Sequence, residues 1–234
     1  TLPDSTKISK TGYTFGGWYT NASFTGEAVT SIQKGTTGIQ NLYAKWNARD
    51  DIKYYIYRYF QPLNGSTNLE DYQEDSTLAP HSYKIGTTGH TTNETADPIE
   101  GFESQPVTQK TIAPDESTIV KIYYDRISYS VTFVPYGNNS IASQTVLYQG
   151  TATEPSPAPS RPSYTFEGWY ISTDGGTTLS NTTYAFTTSV TADITLYAKW
   201  TPPSGTPTGF VYVTGCTVTG AITKSTIFTA YSGS

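Results

Sequence analysis

The chain has 234 residues, with 14 Lys and Arg against 19 Asp and Glu, a formal net charge of −5 and a pI near 5.0. No stretch gathers basic side chains into a patch, so nucleic-acid binding lacks its electrostatic basis, and no apolar run approaches the ~20 residues of a membrane-spanning helix. Charged residues at 14% and hydrophobic residues at 35% fit neither a highly charged disordered tail nor an apolar membrane protein.

Aromatic usage is lopsided, with 20 Tyr against 9 Phe and 4 Trp. Tyr and Thr suit half-exposed sheet surfaces, where ring or branched carbon packs while the hydroxyl stays wet. With 20 Gly and 14 Pro for turns, this composition predicts a β-rich secreted protein. Cys216 is the only cysteine, which excludes an internal disulfide framework and a cysteine-based zinc site. A single Cys and no Met leave little sulfur to oxidise, in keeping with life outside the cell. No signal peptide is recognisable and the first residue is Thr1, which suggests a processed or trimmed piece.

The opening segment, residues 1–47, carries two blocks that return later in the same order. Tyr13-Thr14-Phe15-Gly16-Gly17-Trp18-Tyr19 recurs as Tyr164-Thr165-Phe166-Glu167-Gly168-Trp169-Tyr170. Leu42-Tyr43-Ala44-Lys45-Trp46 recurs unchanged as Leu196-Tyr197-Ala198-Lys199-Trp200. In that ending Leu, Ala and Trp share one face of a strand, and Tyr and Lys share the other. Gly17 and Gly168, just before Trp, mark a backbone bend or close chain approach. The tryptophans are read as core, against the alternative of a sugar-stacking platform. Aligning the blocks sets Thr1 beside Ala152, so the first copy lacks a counterpart of residues 127–151, the two opening strands. Such a module exposes unpaired edges.

Residues 48–126 follow a different pattern. Residues 53–60 and 117–124 read as Tyr/Ile-rich strands. Gly86 and Gly89 bracket a polar stretch, Gly101-Phe102 looks like the small-aromatic step of a repeat core, and residues 92–100 are expected as a short helix limited by Pro98. His81 and His90 lack metal spacing and read as surface or turn residues. Glu70-Asp71 and Glu74-Asp75 form the densest acidic cluster, but without the alternation and fixed Gly of a calcium loop they read as a solvated turn.

Residues 127–201 form the complete copy. Tyr129, Val131 and Phe133 alternate with Ser130 and Thr132 as a half-buried strand; Gly137-Asn138-Asn139 is a turn, and residues 145–148 a second strand. Pro155, Pro157, Pro159 and Pro162 dictate an extended connection. From 117 to 133 the chain favours β structure almost without interruption, broken only at Asp125-Arg126, so one module is expected to lead directly into the next in a semi-rigid, elongated array. Residues 202–208 read as a linker. Residues 209–234 read as a hairpin tail, able to donate strands head-to-tail to the first copy of another molecule, or as the start of a truncated domain.

At this point families come into view. The strand 129–133, the Tyr-Thr-Phe-x-Gly-Trp-Tyr block and Leu-Tyr-Ala-Lys-Trp resemble the internalin B-repeat, or Listeria–Bacteroides repeat: whole over 127–201, its later part over 1–47. The resemblance implies β-grasp-like modules in extracellular proteins, used as spacer or adhesive stalk, with no catalytic residues to carry over. Ser163 departs from it, standing where the family usually has Gly and the first copy has Gly12. Residues 48–126 resemble the mucin-binding-protein (MucBP) repeats of surface adhesins. The run Gly209-Phe210-Val211-Tyr212-Val213-Thr214-Gly215-Cys216-Thr217-Val218-Thr219-Gly220 is similar to the opening of sulfatase-modifying-factor domains, relatives of formylglycine-generating enzymes with a C-type-lectin-like core; Cys216 replaces that family's second Gly.

No nucleophile elbow or phosphate loop is present. Asn21, Asn64, Asn93, Asn138 and Asn181 head glycosylation triplets, which Thr/Ser-rich chains meet by chance. The reading is a β-rich α+β chain with little helix, in tandem β-grasp-like modules. It is taken as the non-enzymatic stalk of a bacterial cell-surface protein supporting adhesion, with no catalytic, cofactor or metal residues. The alternatives are a carbohydrate- or mucin-glycoprotein-binding module, through exposed Tyr in 53–60, and the stalk of a protein whose following domain is enzyme-like or lectin-like.

Overall fold

The computed structural model describes residues 2–203. The expectations for the tail, namely its hairpin, its strand donation, Cys216 and its likeness to a sulfatase-modifying-factor domain, lie outside the described residues, as does most of the 202–208 linker.

Strand signals dominate, and strands form. β1 (Tyr13–Tyr19) and β2 (Tyr43–Ala48) make a two-stranded antiparallel sheet. β3 (Ile52–Phe60), β4 (Ser82–Gly86), β5 (Phe102–Ser104) and β6 (Ile119–Arg126) make a four-stranded sheet in the order β4-β3-β6-β5. β7 (Ser128–Val134), β8 (Gln144–Leu147), β9 (Thr165–Ile171) and β10 (Ile194–Thr201) make another in the order β8-β7-β10-β9. The two larger sheets therefore share one topology, 2-1-4-3. In each, the first and last strands lie side by side and parallel: Ile56 opposite Val120 in one, Leu196 opposite Phe133 in the other. One compact unit comprises the described residues up to Ser128 together with Leu147–Gly150; the other comprises Tyr129–Val146 and the described residues from Thr151 onward.

The helical part of the expected α+β class is corrected. Among the described residues the only helical element is a 3-10 turn at Leu69–Asp71, whose cap is the Asn68 carboxamide accepting the Glu70 amide. Residues 92–100 run without a helix. Alternating burial there sends Thr92 and Glu94 inward while Asn93 stays exposed, and Pro98 forbids helical hydrogen bonding further on. The expected break at Asp125-Arg126 also moves. Both residues belong to β6, opposite Glu103 and Phe102 of β5, and the interruption falls at Ile127. Arg126 is held in the strand by a guanidinium that donates to the Gln61 carbonyl at 2.7 Å and the Tyr148 carbonyl at 2.9 Å.

Each four-stranded sheet has one apolar face. In the first unit Ile52, Tyr54, Ile56 and Phe60 alternate inward from β3, meeting Val120, Ile122 and Tyr124 of β6. In the second unit Val131, Phe133, Trp169, Leu196 and Ala198 do the same. Burying each large aliphatic side chain contributes roughly 1.5–3 kcal/mol. The tryptophans follow the core reading. Trp169 is 1% exposed, with Phe133 edge-on at 4.9 Å and Phe166 at 5.6 Å, and Phe166 meets Trp200 at 5.3 Å. In the first copy Phe15 likewise joins Trp18 and Trp46, at 5.6 and 5.5 Å, but both indoles stay half-buried. No described strand there takes the place that β7 takes beside β10.

The glycines before Trp are bulge residues. Gly17 and Gly168 have φ of +108° and +120°, and both ladders slip register next to them. A Cβ on Gly168 would lie 2.9 Å from Thr183 Cγ2. Ser163 retains the left-handed turn of its counterpart, φ +64° against +74° at Gly12. Gly12 is constrained further, because a Cβ there would lie 2.4 Å from Pro114 Cβ while its carbonyl accepts from the Thr88 hydroxyl at 2.8 Å.

Burial of equivalent leucines predicts unequal costs. Leu196→Ala, at a site 0% exposed, is expected to lower the unfolding free energy by about 3 kcal/mol. Leu42→Ala, at a half-buried site, is expected to cost about 1 kcal/mol; urea unfolding followed by Trp fluorescence compares them. Amides of β2 are expected to exchange with deuterium faster than their β10 counterparts, and equal protection would contradict a free β2 edge.

Candidate functional site

Alternation that buries one face of the first unit's four-stranded sheet turns its tyrosines outward on the other. Lys53, Tyr55, Tyr57 and Tyr59 of β3 share that face, and Tyr54 does not: it is 6% exposed, in the core. In register, Tyr55 stands between Tyr83 of β4 and Ile119 of β6, Tyr57 opposite Lys121, and Tyr59 opposite Tyr123. Tyr83 and Ile85 are 56% and 58% exposed. Their size and exposure together make this an open aromatic surface rather than a second core.

The rings are ordered by one another. Tyr59 stacks on Tyr123 at 5.4 Å, and Tyr72 meets Tyr123 edge-on at 5.7 Å. The Lys121 ammonium lies 5.1 Å from the Tyr59 ring centre and that of Lys53 lies 5.0 Å from Tyr83. His81 stacks on Tyr57 at 4.1 Å, its Nε2 2.8 Å from Glu74 Oε2. Hydrogen bonds from Tyr59 and His81 hold the Glu74 carboxyl below its usual range. At the far edge Tyr72 donates a short hydrogen bond to Asp125, which also accepts from Gln105 Nε2 at 2.9 Å.

Beneath the open face a polar network braces the sheet. Glu94 is 5% exposed, and its carboxylate accepts from the Tyr54 hydroxyl at 2.6 Å and the Lys84 ammonium at 2.9 Å. The Gln109 carboxamide reads the Glu94 backbone in both directions, at 2.8 Å each. A buried carboxylate with this many donors is held in place as much as it stabilises.

The residues singled out for chemistry are not assembled into one centre. His90 is exposed, and its backbone pairs with Thr87 and Ile112. In the acidic cluster, Asp71 accepts from the Ser66 hydroxyl at 2.5 Å and Asp75 from the Thr77 amide at 2.9 Å, so each carboxylate closes its own turn. Among the described residues no three His, Cys, Asp or Glu side chains are grouped to hold a metal ion. Missed by the sequence reading were Tyr83, Gln105, Lys110, Ile119 and Lys121 as members of this surface. The parity of β6, with Val120 and Ile122 inward, was the available signal for Ile119 and Lys121.

Burial and carboxylate partners push the hydroxyls of Tyr54, Tyr59 and Tyr72 up to about 12. In the unfolded chain they ionise near 10. The folded state keeps these protons where the unfolded state loses them, so the associated stability is complete below pH ~10 and lost as pH rises towards ~12. Urea midpoints are expected to fall steeply across that window, less steeply in Tyr54→Phe; a midpoint unchanged to pH ~12 would refute it.

Comparison with known proteins now adds a family. Residues 1–45 and 129–199 match the model of the Listeria-Bacteroides repeat domain, leaving the tyrosine-bearing segment outside the match. A relative from Evansella cellulosilytica, named "Putative Gly-rich membrane protein", is 26% identical over 208 residues, 85% of this chain. The chain covers only 22% of that protein's length. No solved structure matches. Both tryptophan-bearing segments thus match the Listeria-Bacteroides repeat family.

Proposed function

We propose that this chain is a non-catalytic extracellular repeat region of a bacterial cell-surface protein, a stalk that supports adhesion. Its segments are a partial B-repeat at 1–47, a MucBP-like module at 48–126, a complete B-repeat at 127–201, a linker at 202–208 and a tail at 209–234. The observation that carries this reading is the 2-1-4-3 strand order occurring twice, each time with its own apolar core. Serial modules with private cores are how a chain gains reach without a large single core. That order, with the outer strands of the sequence parallel at the sheet centre, favours a β-grasp-like description and a kinship between the MucBP-like module and the repeats. Listeria-Bacteroides repeats are found in surface proteins. No helix among the described residues is long and apolar enough to cross a membrane.

Antibodies raised against the chain are expected to label intact producing cells, and proteolytic shaving of those cells to release its fragments. Labelling confined to permeabilised cells would overturn the assignment.

A second reading is favoured by the tyrosine face: residues 48–126 bind carbohydrate or mucin glycoprotein. Stacking a sugar's C–H face on an exposed ring needs aromatic rings that are wet on one side, as Tyr55, Tyr57 and Tyr83 are. Glycan-array binding that Tyr55→Ala and Tyr83→Ala abolish, with the far-UV spectrum unchanged, is the expected result under this reading. Silence across the array leaves the stalk alone.

A further inference from the structure

Where β6 meets the segment that follows β5, the tyrosine face deepens into a cleft of about 310 Å³. Its walls include Tyr123, Ile119 and Leu69 on the apolar side and Gln105, Lys110 and Lys121 on the polar side. No carboxylate lines it, in a chain whose net charge is −5. Neither Lys110 nor Lys121 forms an ion pair among the described residues, whereas Lys84 on β4 is paired to Glu94 at 2.9 Å. Gln105 is already committed to Asp125, which fixes its carboxamide at the rim. Tyr123 is steadied by Tyr59 and Tyr72, and its hydroxyl bonds to no described protein group.

We propose that this cleft binds an anionic sugar, a carboxylate- or sulfate-bearing residue of a glycan chain. The sugar's apolar face lies along Tyr123 and Ile119, and its anion sits between the ammonium groups of Lys110 and Lys121. Among the described residues neither cation is held in an ion pair, Lys121 resting only against the Tyr59 ring, so an anion is attracted at little cost in broken ion pairs. A half-buried ring already ordered by two neighbouring rings loses little freedom when a sugar stacks on it. The cleft is too small for a folded protein partner and of a size for one or two sugar residues. The remaining tyrosines of the face then carry the neutral continuation of the glycan. This inference rests on the second reading of the function and narrows it to one ligand class and one subsite.

Titration calorimetry on the full chain tests it with four probes: 3′-sialyllactose (carboxylate), 6-sulfated lactosamine (sulfate), lactose (neutral) and inorganic sulfate. One or both anionic sugars are expected to bind at least tenfold more tightly than lactose, and comparison of the two says which anion is preferred. Lys110→Ala and Lys121→Ala are each expected to weaken that binding about two- to fivefold, the pair about tenfold, with a matching loss of salt dependence. Both lysines are exposed, so these variants keep the fold. Lactose binding equal to that of the anionic sugars and indifferent to the lysines would overturn the inference and leave the tyrosine-face reading standing. Inorganic sulfate competing as well as the sulfated sugar would reduce the cleft to a bare anion site and also overturn it. No binding of any sugar would end both.

Discussion

Two strands far apart in sequence must meet for any of these modules to exist. In the first unit β3 closes on β6 across the whole of residues 61–118, and in the second β7 closes on β10 across 135–193. The pairing is parallel, so no tight turn can make it, and the intervening chain has to cross over and come back. That crossover carries the other two strands, which attach on either flank, antiparallel for β4, β5 and β9. It also supplies the cover for one face. Without the central pair, Ile56 and Val120 in one unit, or Val131 and Leu196 in the other, have nothing to pack against. Closing such a contact costs loop entropy before any burial repays it, which makes it the late and decisive step of folding.

Everything about the two faces follows from that closure. Irregular chain lies over the inner face, where Leu78, Ala96, Ile99 and Val107 pack on the first unit's core. Backbone that forms no helix and no ladder still needs hydrogen-bond partners when buried. This accounts for Gln109 and Thr92 serving the backbone around Glu94, and for Tyr124 donating to the Asp97 carbonyl at 3.0 Å. Polar side chains here do the work that a crossover helix would do through its own ladder. Among the described residues, Arg58 Nε and Trp169 Nε1 are the buried side-chain polar atoms left without a partner.

How much of this was legible depends on how local the signal was. The repeat was plain because Leu-Tyr-Ala-Lys-Trp is identical twice, and Gly168 before Trp announced a bulge that its φ of +120° displays. Strand β7 stood out through period-2 alternation, and β3 and β6 through runs rich in Tyr and Ile. The polar surroundings of Glu94 were invisible, since its partners Tyr54, Lys84 and Gln109 lie 40, 10 and 15 residues away. For the same reason residues 92–100 looked helical: composition reports propensity, whereas the extended path there is imposed by a carboxylate that must reach Tyr54. The tyrosine face was half legible. Parity separates Tyr54 from Tyr55, but only the register of β3 against β4 and β6 brings Tyr83 and Tyr123 to the same surface.

The same topology carries different outward residues in the two kinds of module. In the repeats the outer side of β7 bears Ser130 and Thr132. The lysine common to both endings lies over a ring of its own copy: Lys45 5.5 Å from the Tyr19 centre, Lys199 5.0 Å from Tyr170. A cation over a neighbouring ring shields part of that ring from water, so Tyr19 and Tyr170 are each partly covered within their own copy. In the intervening module tyrosines outnumber the cations that cover them, and Lys110 covers none. Exposed aromatic area invites association without adding to the core, and in this module it is gathered on one sheet face as Tyr55, Tyr57 and Tyr83. That gathered face, set against the small hydroxyl side chains on the outer side of β7, is the physical ground of the proposed binding surface.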